Sequence, residues 1–191
     1  MVKMPDSIIT KKALSESLKN LMEEEPLEKI TIARIVTSCH MNRQSFYYHF
    51  KDKYDLVNWI FYTEFFDAIN EYFRGHDDEA WSREILDCIC AYFYRTRDFY
   101  QNALKVTGQN SFSEYFQGVV HQLVYKHIKA TYGPGIDYEF YATFFTDAVC
   151  MSIIRWISEG CRIPPEKYVT LIKNVAVKSA EKIIEIADAD K

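Results

Sequence analysis

Glycine and proline are scarce in this chain of 191 residues, which contains only 6 glycines and 5 prolines. Collagen-like and low-complexity chains contain far more of both, so these classes are excluded. A strand-rich fold, which needs many tight turns, is disfavoured. The 5 cysteines are an odd number without a disulfide-framework spacing, which argues against a secreted, disulfide-stapled protein. No uncharged apolar run approaches the roughly 18 residues of a membrane span, and residues 1–10 lack a signal-peptide core. We therefore expect a cytoplasmic protein without a membrane partner.

Aromatic residues are abundant, with 14 tyrosines and 13 phenylalanines, and apolar residues make up 48% of the chain. The net charge of −4 conceals a division along the sequence. Residues 1–54 contain 9 Lys and Arg against 7 Asp and Glu, a balance of +2, and the remainder contains 14 against 20, a balance of −6. A small cationic head on an acidic body suits a protein that contacts a polyanion with one end only.

Apolar residues recur at helical rather than strand spacing, as at Leu14, Leu18 and Leu21 and again at Ile172 and Ala176. The pattern predicts an all-α fold of about nine helices. Turn-forming residues punctuate it at 25–26, 74–79, 107–111, 133–135 and 160–165. The predicted helices cover residues 8–24, 32–39, 43–50, 53–73, 82–95, 98–106, 112–131, 138–158 and 165–187.

Residues 31–53 contain two short helices joined by a brief turn, which is a helix-turn-helix pattern. Thr31 can cap the first helix and Asn42 the second, since their side-chain oxygens accept from early backbone N–H groups. Phe46 and Phe50 lie four positions apart, so both face inward toward the first helix.

The outward face of the second helix is then polar along its whole length. Gln44 and Tyr48 point away from the core, and Ser45, Tyr47 and His49 flank them. Gln suits adenine, Arg43 suits guanine, and hydroxyl and imidazole groups suit phosphate. The spacing alone leaves two interpretations open, a surface for a DNA groove or a short helix pair within an ordinary bundle.

Residues 31–56 resemble the DNA-binding signature of TetR-family transcription regulators, above all in the segment SFYYHFKDK at Ser45–Lys53. Many members have a small residue and Gly at the turn, where this chain has Cys39 and His40, so the turn departs from the pattern. The wider stretch, including residues 7–10 and 59–61, looks like the TetR-type activators of dihydroxyacetone kinase operons.

The resemblance implies a DNA-binding domain at residues 1–53 and an effector-binding and dimerisation domain at 54–191. It implies that double-stranded DNA is the partner, with base edges contacted by Arg43, Gln44 and Tyr48. Phosphates would be held by Ser45, Tyr47, His49 and Lys53, with Lys51 beside them at a helix N-terminus. The DNA-contacting set is therefore Thr31, Asn42, Arg43, Gln44, Ser45, Tyr47, Tyr48, His49, Lys51 and Lys53.

The aromatic residues of the acidic body either fill its core or line a ligand cavity, and helical spacing favours the core for most of them. Those singled out are Phe61, Phe65, Phe66, Trp81, Tyr92, Phe93, Phe99, Tyr100, Tyr115, Phe116, Tyr141, Phe144, Phe145 and Trp156. The resemblance leaves two effectors open, a small molecule in a pocket or a partner protein resembling a dihydroxyacetone kinase subunit. The latter would require an exposed docking surface.

The helices near 138–158 and 165–187 are amphipathic and are expected to form a homodimer, as a four-helix bundle in the family. Small residues in the last helix permit close approach of a second helix: Ala176, Ser179 and Ala180, beside Val175, Ile183 and Ile184. The alternative is a helix pair within one chain.

No catalytic motif is present, so we expect neither an enzyme nor a cofactor. Cys88 and Cys90 diverge by about 200° on a helix, so they cannot both bind one metal ion, and His121 and His127 lie about 120° off a common face. Cys39 and His40 would need a distant third ligand to form a metal site, and we expect them instead to be a buried thiol and a turn residue. The competing functions are a helical adaptor or small-molecule-binding module without DNA binding, and an enzyme with an unrecognised site.

Overall fold

The computed structural model describes residues 6–72, 78–106, 111–131 and 136–189. Within these ranges the chain forms nine α-helices and one 3₁₀ turn, with no strand, which confirms the all-α prediction. The elements are α1 (Asp6–Glu24), the 3₁₀ turn (Leu27–Lys29), α2 (Ile32–Ser38), α3 (Arg43–His49), α4 (Lys53–Tyr72), α5 (Asp78–Arg95), α6 (Arg97–Ala103), α7 (Phe112–Thr131), α8 (Tyr138–Ser158) and α9 (Pro165–Ala189).

The helix boundaries differ from the prediction by at most four residues, the largest shift being the start of α5 at Asp78 instead of residue 82. The 3₁₀ turn was not predicted, because three residues are too few to show a period. The predicted breaks at 74–79, 107–111 and 133–135 lie wholly or partly outside the described residues. The boundary predicted after residue 53 falls at the start of α4, and the division into two domains stays a prediction.

The first three helices form a small head around one apolar centre. Leu14 and Leu18 of α1, Ile35 of α2 and Phe46 of α3 are all fully buried there. The buried hydroxyl of Ser17 donates to the Ile35 carbonyl over 2.7 Å, which ties α1 to α2. This packing holds α3 at the surface of the head with only one of its sides covered.

The body, built by α4–α9, has an aromatic core centred on Phe61 of α4. The Phe61 ring stacks on Phe65 and Phe93 at centroid distances of 4.9 and 5.9 Å. The hydroxyls of Tyr92 and Tyr100 share a buried hydrogen bond of 2.7 Å, and burial raises the pKa of both. Core packing is thus confirmed for these rings and for Phe116 and Trp156, whereas Phe144 is exposed and the Trp81 side chain lies outside the described residues.

Helix α8 packs one face against the body, and Ala142, Cys150 and Ile153 on that face are fully buried. By length and apolar composition alone α8 reaches the range of a membrane-spanning helix, with a third of the relevant segment buried. A core helix of a folded domain meets the same criteria, and the buried face of α8 fits that description.

Candidate nucleic-acid interface

The turn between α2 and α3 closes through two backbone hydrogen bonds. The Met41 N–H donates to the Val36 carbonyl over 2.7 Å, and the His40 N–H donates to the Thr37 carbonyl over 3.2 Å. This is the Schellman arrangement, which requires a left-handed residue after the helix. His40 supplies it with a φ of 55°, a conformation that costs His more than it would cost Gly. The departure from the family pattern at this turn is therefore accommodated by a left-handed His.

Both predicted helix caps are confirmed. The Thr31 hydroxyl accepts from the Arg34 N–H over 3.3 Å at the start of α2. The Asn42 side-chain oxygen accepts from the Ser45 N–H over 2.8 Å at the start of α3. The Ser45 hydroxyl donates to the same Asn42 oxygen over 3.1 Å, so its proton is engaged within the protein while its lone pairs remain.

Helix α3 presents the polar face that the sequence predicts. Phe46 is fully buried and Phe50 nearly so, whereas the exposed fractions of Tyr47 and Tyr48 are 57% and 83%. The Phe46 and Phe50 rings contact each other at 5.8 Å between centroids, which anchors the inner side of the helix. Arg43 and Gln44 are exposed at its first turn. The predicted separation of inward phenylalanines from outward tyrosines is confirmed.

A shallow groove of about 300 Å³ runs between α3 and the first turns of α1. Thr10 of α1 lines it together with five residues of the predicted set, Asn42, Gln44, Ser45, Tyr48 and His49. Thr10 is absent from the DNA-contacting set predicted from the sequence, because only the packing of α1 on α3 brings it near.

Lys11 adds a positive charge beside α3 that the sequence analysis also missed. Its Nζ lies 5.7 Å from the Phe50 ring centroid and 5.8 Å from that of Trp59, a cation–π arrangement. Partial burial and, secondarily, the charge of Lys11 lower the pKa of His49. His49 is therefore biased toward the neutral imidazole, which donates one hydrogen bond.

Lys53 has partners inside the protein. Its ammonium donates to the carbonyls of Leu27, Glu28 and Ile30 at 2.7, 2.8 and 2.8 Å, which uses all three of its protons. Burial lowers the pKa of Lys53, and the carboxylates of Glu28 and Asp52 oppose that shift. A phosphate contact by Lys53 would require it to release one of these carbonyls. The Lys51 side chain is exposed, and its backbone N–H donates to the Asp55 carboxylate over 3.0 Å.

Thiol and metal chemistry finds little support in the described residues. Cys90, Cys150 and Cys161 are buried, and burial raises their pKa to about 12, about 12 and about 11. Such thiols remain protonated near neutral pH and are poor nucleophiles and ligands. The part of the chain that the structure describes contains no cluster of three or more His, Cys, Asp or Glu side chains suited to a metal ion.

Two protein families match the chain. The family described as bacterial regulatory proteins, tetR family, matches residues 16–60, which include the whole helix-turn-helix. The family described as transcriptional regulator C-terminal region, of the TetR class, matches residues 80–178, more than half of the chain.

A curated relative and several solved structures are similar to the chain. The relative, the HTH-type dhaKLM operon transcriptional activator DhaS of Lactococcus lactis, is 29% identical over 113 residues, which are 59% of this chain and 57% of the relative. The match thus spans just over half of the relative's length.

The structure of a dihydroxyacetone kinase operon activator DhaS has a TM-score of 0.65 and 24% identity, covering 90% of this chain and 96% of that one. A TetR transcriptional regulator from Streptococcus agalactiae has a TM-score of 0.63 and 20% identity, covering 90% and 98%. At these identities the structures establish a shared fold. The family matches over residues 16–60 and 80–178 show that the chain belongs to the TetR family of transcriptional regulators.

Proposed function

We propose that this regulator binds a palindromic operator in double-stranded DNA as a homodimer in the bacterial cytoplasm. The observation that carries the proposal is the exposed face of α3, where Tyr48 is 83% exposed while Phe46 beneath it is fully buried. A helix fixed on its inner side and polar on its outer side can enter a major groove without disturbing the core of the head. Members of this family act by binding, so the proposal includes no enzymatic activity.

The residues of α3 divide into two groups by chemistry and position. Arg43, Gln44 and Tyr48 are exposed and are assigned to base edges. Tyr47, His49 and Ser45 flank them and are assigned to phosphates, together with Lys51. Because the Ser45 proton is donated to Asn42 and a phosphate oxygen can only accept, the Ser45 contact is assigned as water-mediated, with the water donating to both oxygens. Thr31 and Asn42, whose side chains cap the two helices, are assigned to the edges of the same surface.

Lys53 is left out of the phosphate group because three carbonyls already hold its ammonium. Two residues of α1 are added to the phosphate group. Thr10 lines the groove beside α3, and Lys11 lies over the Phe50 ring near His49. Sequence specificity then comes from the base-edge group, and much of the affinity comes from the phosphate group.

The homodimer is assigned to α8 and α9. The outer side of α8 exposes Phe140, Phe144 and Met151, and the outer side of α9 exposes Leu171 and Val175. Apolar side chains at this spacing form stripes that a second copy can cover. The side chains of Ala176, Ala180, Ile183 and Ile184, expected at the same interface, lie outside the described residues. Two heads held about 34–36 Å apart would read successive major grooves.

The regulated genes are proposed to be those of a dihydroxyacetone kinase, since the curated relative is a dhaKLM operon activator. The effector is proposed to be a partner protein resembling a subunit of that kinase, with a small molecule as the other possibility. Phe61, Phe93 and Tyr100 pack on one another at the centre of the body, which favours an effector that docks outside the core.

Selection from random duplexes followed by fluorescence anisotropy tests the DNA-binding proposal. We expect the selected sequences to contain two inverted half-sites, and the affinity to fall steeply with salt because phosphate contacts release counterions. The comparison variant is Tyr48→Ala, which removes an exposed α3 side chain and is expected to weaken binding to the selected operator. Absence of salt-sensitive binding at low and moderate salt would contradict the proposal and favour the adaptor or small-molecule-binding alternative.

A further inference from the structure

Asn102 of α6 is buried, 8% exposed, and makes three hydrogen bonds to the head. Its side-chain NH₂ donates to the carbonyls of Met22 and Glu25 at 3.0 and 2.9 Å. Its side-chain oxygen accepts from the Leu27 N–H at 2.8 Å. Each partner lies 75 to 80 positions away in the sequence, so one side chain of the body satisfies three backbone groups of the head.

These backbone groups need partners from outside α1. The last carbonyls of a helix have no N–H donor within the helix, and burying them without a hydrogen-bond donor costs free energy. A primary amide carries both donors and an acceptor, so Asn102 satisfies the end of α1 and the start of the 3₁₀ turn together. The side chain is therefore a helix cap supplied by another part of the fold.

The same turn is also held by Lys53 of α4, which donates to the carbonyls of Leu27, Glu28 and Ile30. The segment of residues 25–30 is thus hydrogen-bonded to both α6 and α4. It leads directly to Thr31, the cap of α2, and so to the helix-turn-helix. A displacement of this segment is therefore expected to move α2 and α3 relative to the body.

A cleft of about 630 Å³ adjoins the Asn102 contact. It is lined by the end of α1 and the residues that follow it, Glu23–Pro26, and by α6 residues including Phe99 and Asn102. The α1–α6 contact therefore borders open space on one side, while Tyr100 of the same helix is anchored in the aromatic core.

We infer that Asn102 is a positioning residue that fixes the angle of the head on the body and so sets the separation of the two heads in the dimer. The inference rests on the proposed DNA-binding function and deepens it. Breaking the Asn102 hydrogen bonds leaves only Lys53 to hold the 3₁₀ turn, which loosens the head on the body while leaving α3 itself intact. Binding by one head would be unchanged, whereas simultaneous binding by two heads would lose its preorganisation.

The test compares Asn102→Asp with Gln101→Glu, the same amide-to-acid change at the neighbouring position of α6. Gln101 donates to the Ser158 carbonyl at 3.3 Å, a contact that stays within the body. Both variants are measured by anisotropy on a duplex with one half-site and on a series of duplexes in which the spacing between two half-sites varies.

We expect Asn102→Asp to lower affinity for the optimally spaced operator roughly tenfold or more and to broaden the spacing preference. Its affinity for the single half-site should stay within about twofold of wild type, as should both affinities of Gln101→Glu. A role in stability alone would not move the spacing preference. Equal losses on half-site and full operator, or an unchanged spacing preference, would overturn the inference.

A second variant, Asn102→Ser, removes the amide without burying a charge. It allows the same measurements if Asn102→Asp does not fold. Circular dichroism and thermal melts establish whether each variant is folded before DNA is added. Loss of the folded state in both variants would make Asn102 a stability residue and overturn the inference. Wild-type protein that binds no duplex would overturn the proposed function itself, which is a distinguishable result.

Discussion

Phe46 and Tyr48 lie two positions apart on α3 and face opposite environments, the first fully buried and the second 83% exposed. Two positions on an α-helix correspond to about 200° of rotation, so one side chain anchors the helix while the other faces solvent. Stability and DNA binding can therefore be altered separately on the same short helix.

Replacing each of these rings by alanine should give opposite phenotypes. Phe46→Ala is expected to cost about 3–5 kcal/mol of the free energy of unfolding, because it leaves a cavity at the centre of the head. Tyr48→Ala should leave that free energy nearly unchanged and weaken operator binding by about 1–3 kcal/mol. Denaturant unfolding and anisotropy measure the two quantities. A large loss of stability in Tyr48→Ala would contradict the assignment.

Gln44 and Tyr47 should differ in what their loss does to sequence preference. Gln44→Ala is expected to relax preference at one base position by about 1–3 kcal/mol, because an amide can pair with the edge of adenine. Tyr47→Ala should weaken binding to all sequences about equally, since a phosphate contact carries no base information. Binding selection with each variant provides the comparison. The same uniform loss in both variants would remove the division between base and phosphate contacts.

The sequence predicted the features that depend on local periodicity and capping. The inward pair Phe46 and Phe50 and the caps Thr31 and Asn42 all follow from spacing within one or two turns.

Contacts between distant segments could not be predicted in this way. Asn102 reaches residues 75 to 80 positions away, and Lys53 reaches residues 23 to 26 positions away. No local sequence pattern encodes these partners. Lys53 fits a phosphate-binding motif in the sequence, whereas in the structure its ammonium holds the 3₁₀ turn.

Lys51 and Lys53 should therefore respond differently to salt. Lys51→Ala is expected to reduce the slope of log affinity against log salt by about 0.9, the value of one phosphate contact. Lys53→Ala should leave the slope nearly unchanged and lower the free energy of unfolding by about 1–3 kcal/mol, because three carbonyls lose their donor. Anisotropy across a salt series and denaturant unfolding test this. A reduced slope with unchanged stability in Lys53→Ala would restore its phosphate role.

His49 should make DNA binding dependent on pH. Partial burial and Lys11 lower its pKa in the free protein below the ordinary value of 6.5, whereas a bound phosphate would raise it. Binding then takes up a proton, so affinity should increase as the pH falls through the range between the two values. The increase between about pH 7.5 and about pH 5.5 should be larger for wild type than for His49→Gln.

A matched control for this pH effect is His40→Asn, because Asn also tolerates the positive φ of the turn. That variant should keep the wild-type pH dependence. If His49→Gln keeps it as well, another group is responsible and the phosphate contact of His49 is contradicted.

Phe144 on α8 provides the sharpest test of the dimer, since it is 56% exposed in a single chain. A charge there costs little in the folded monomer but is costly in an interface that buries it. Phe144→Glu is therefore expected to weaken dimerisation by roughly 100-fold and to abolish the preference for two half-sites over one.

Tyr62→Glu on α4 is the control, because Tyr62 is an aromatic of similar exposure, 52%, outside the proposed interface. Sedimentation equilibrium should show a monomer for the first variant and a dimer for the second, and a Phe144→Glu protein that remains dimeric would place the interface elsewhere.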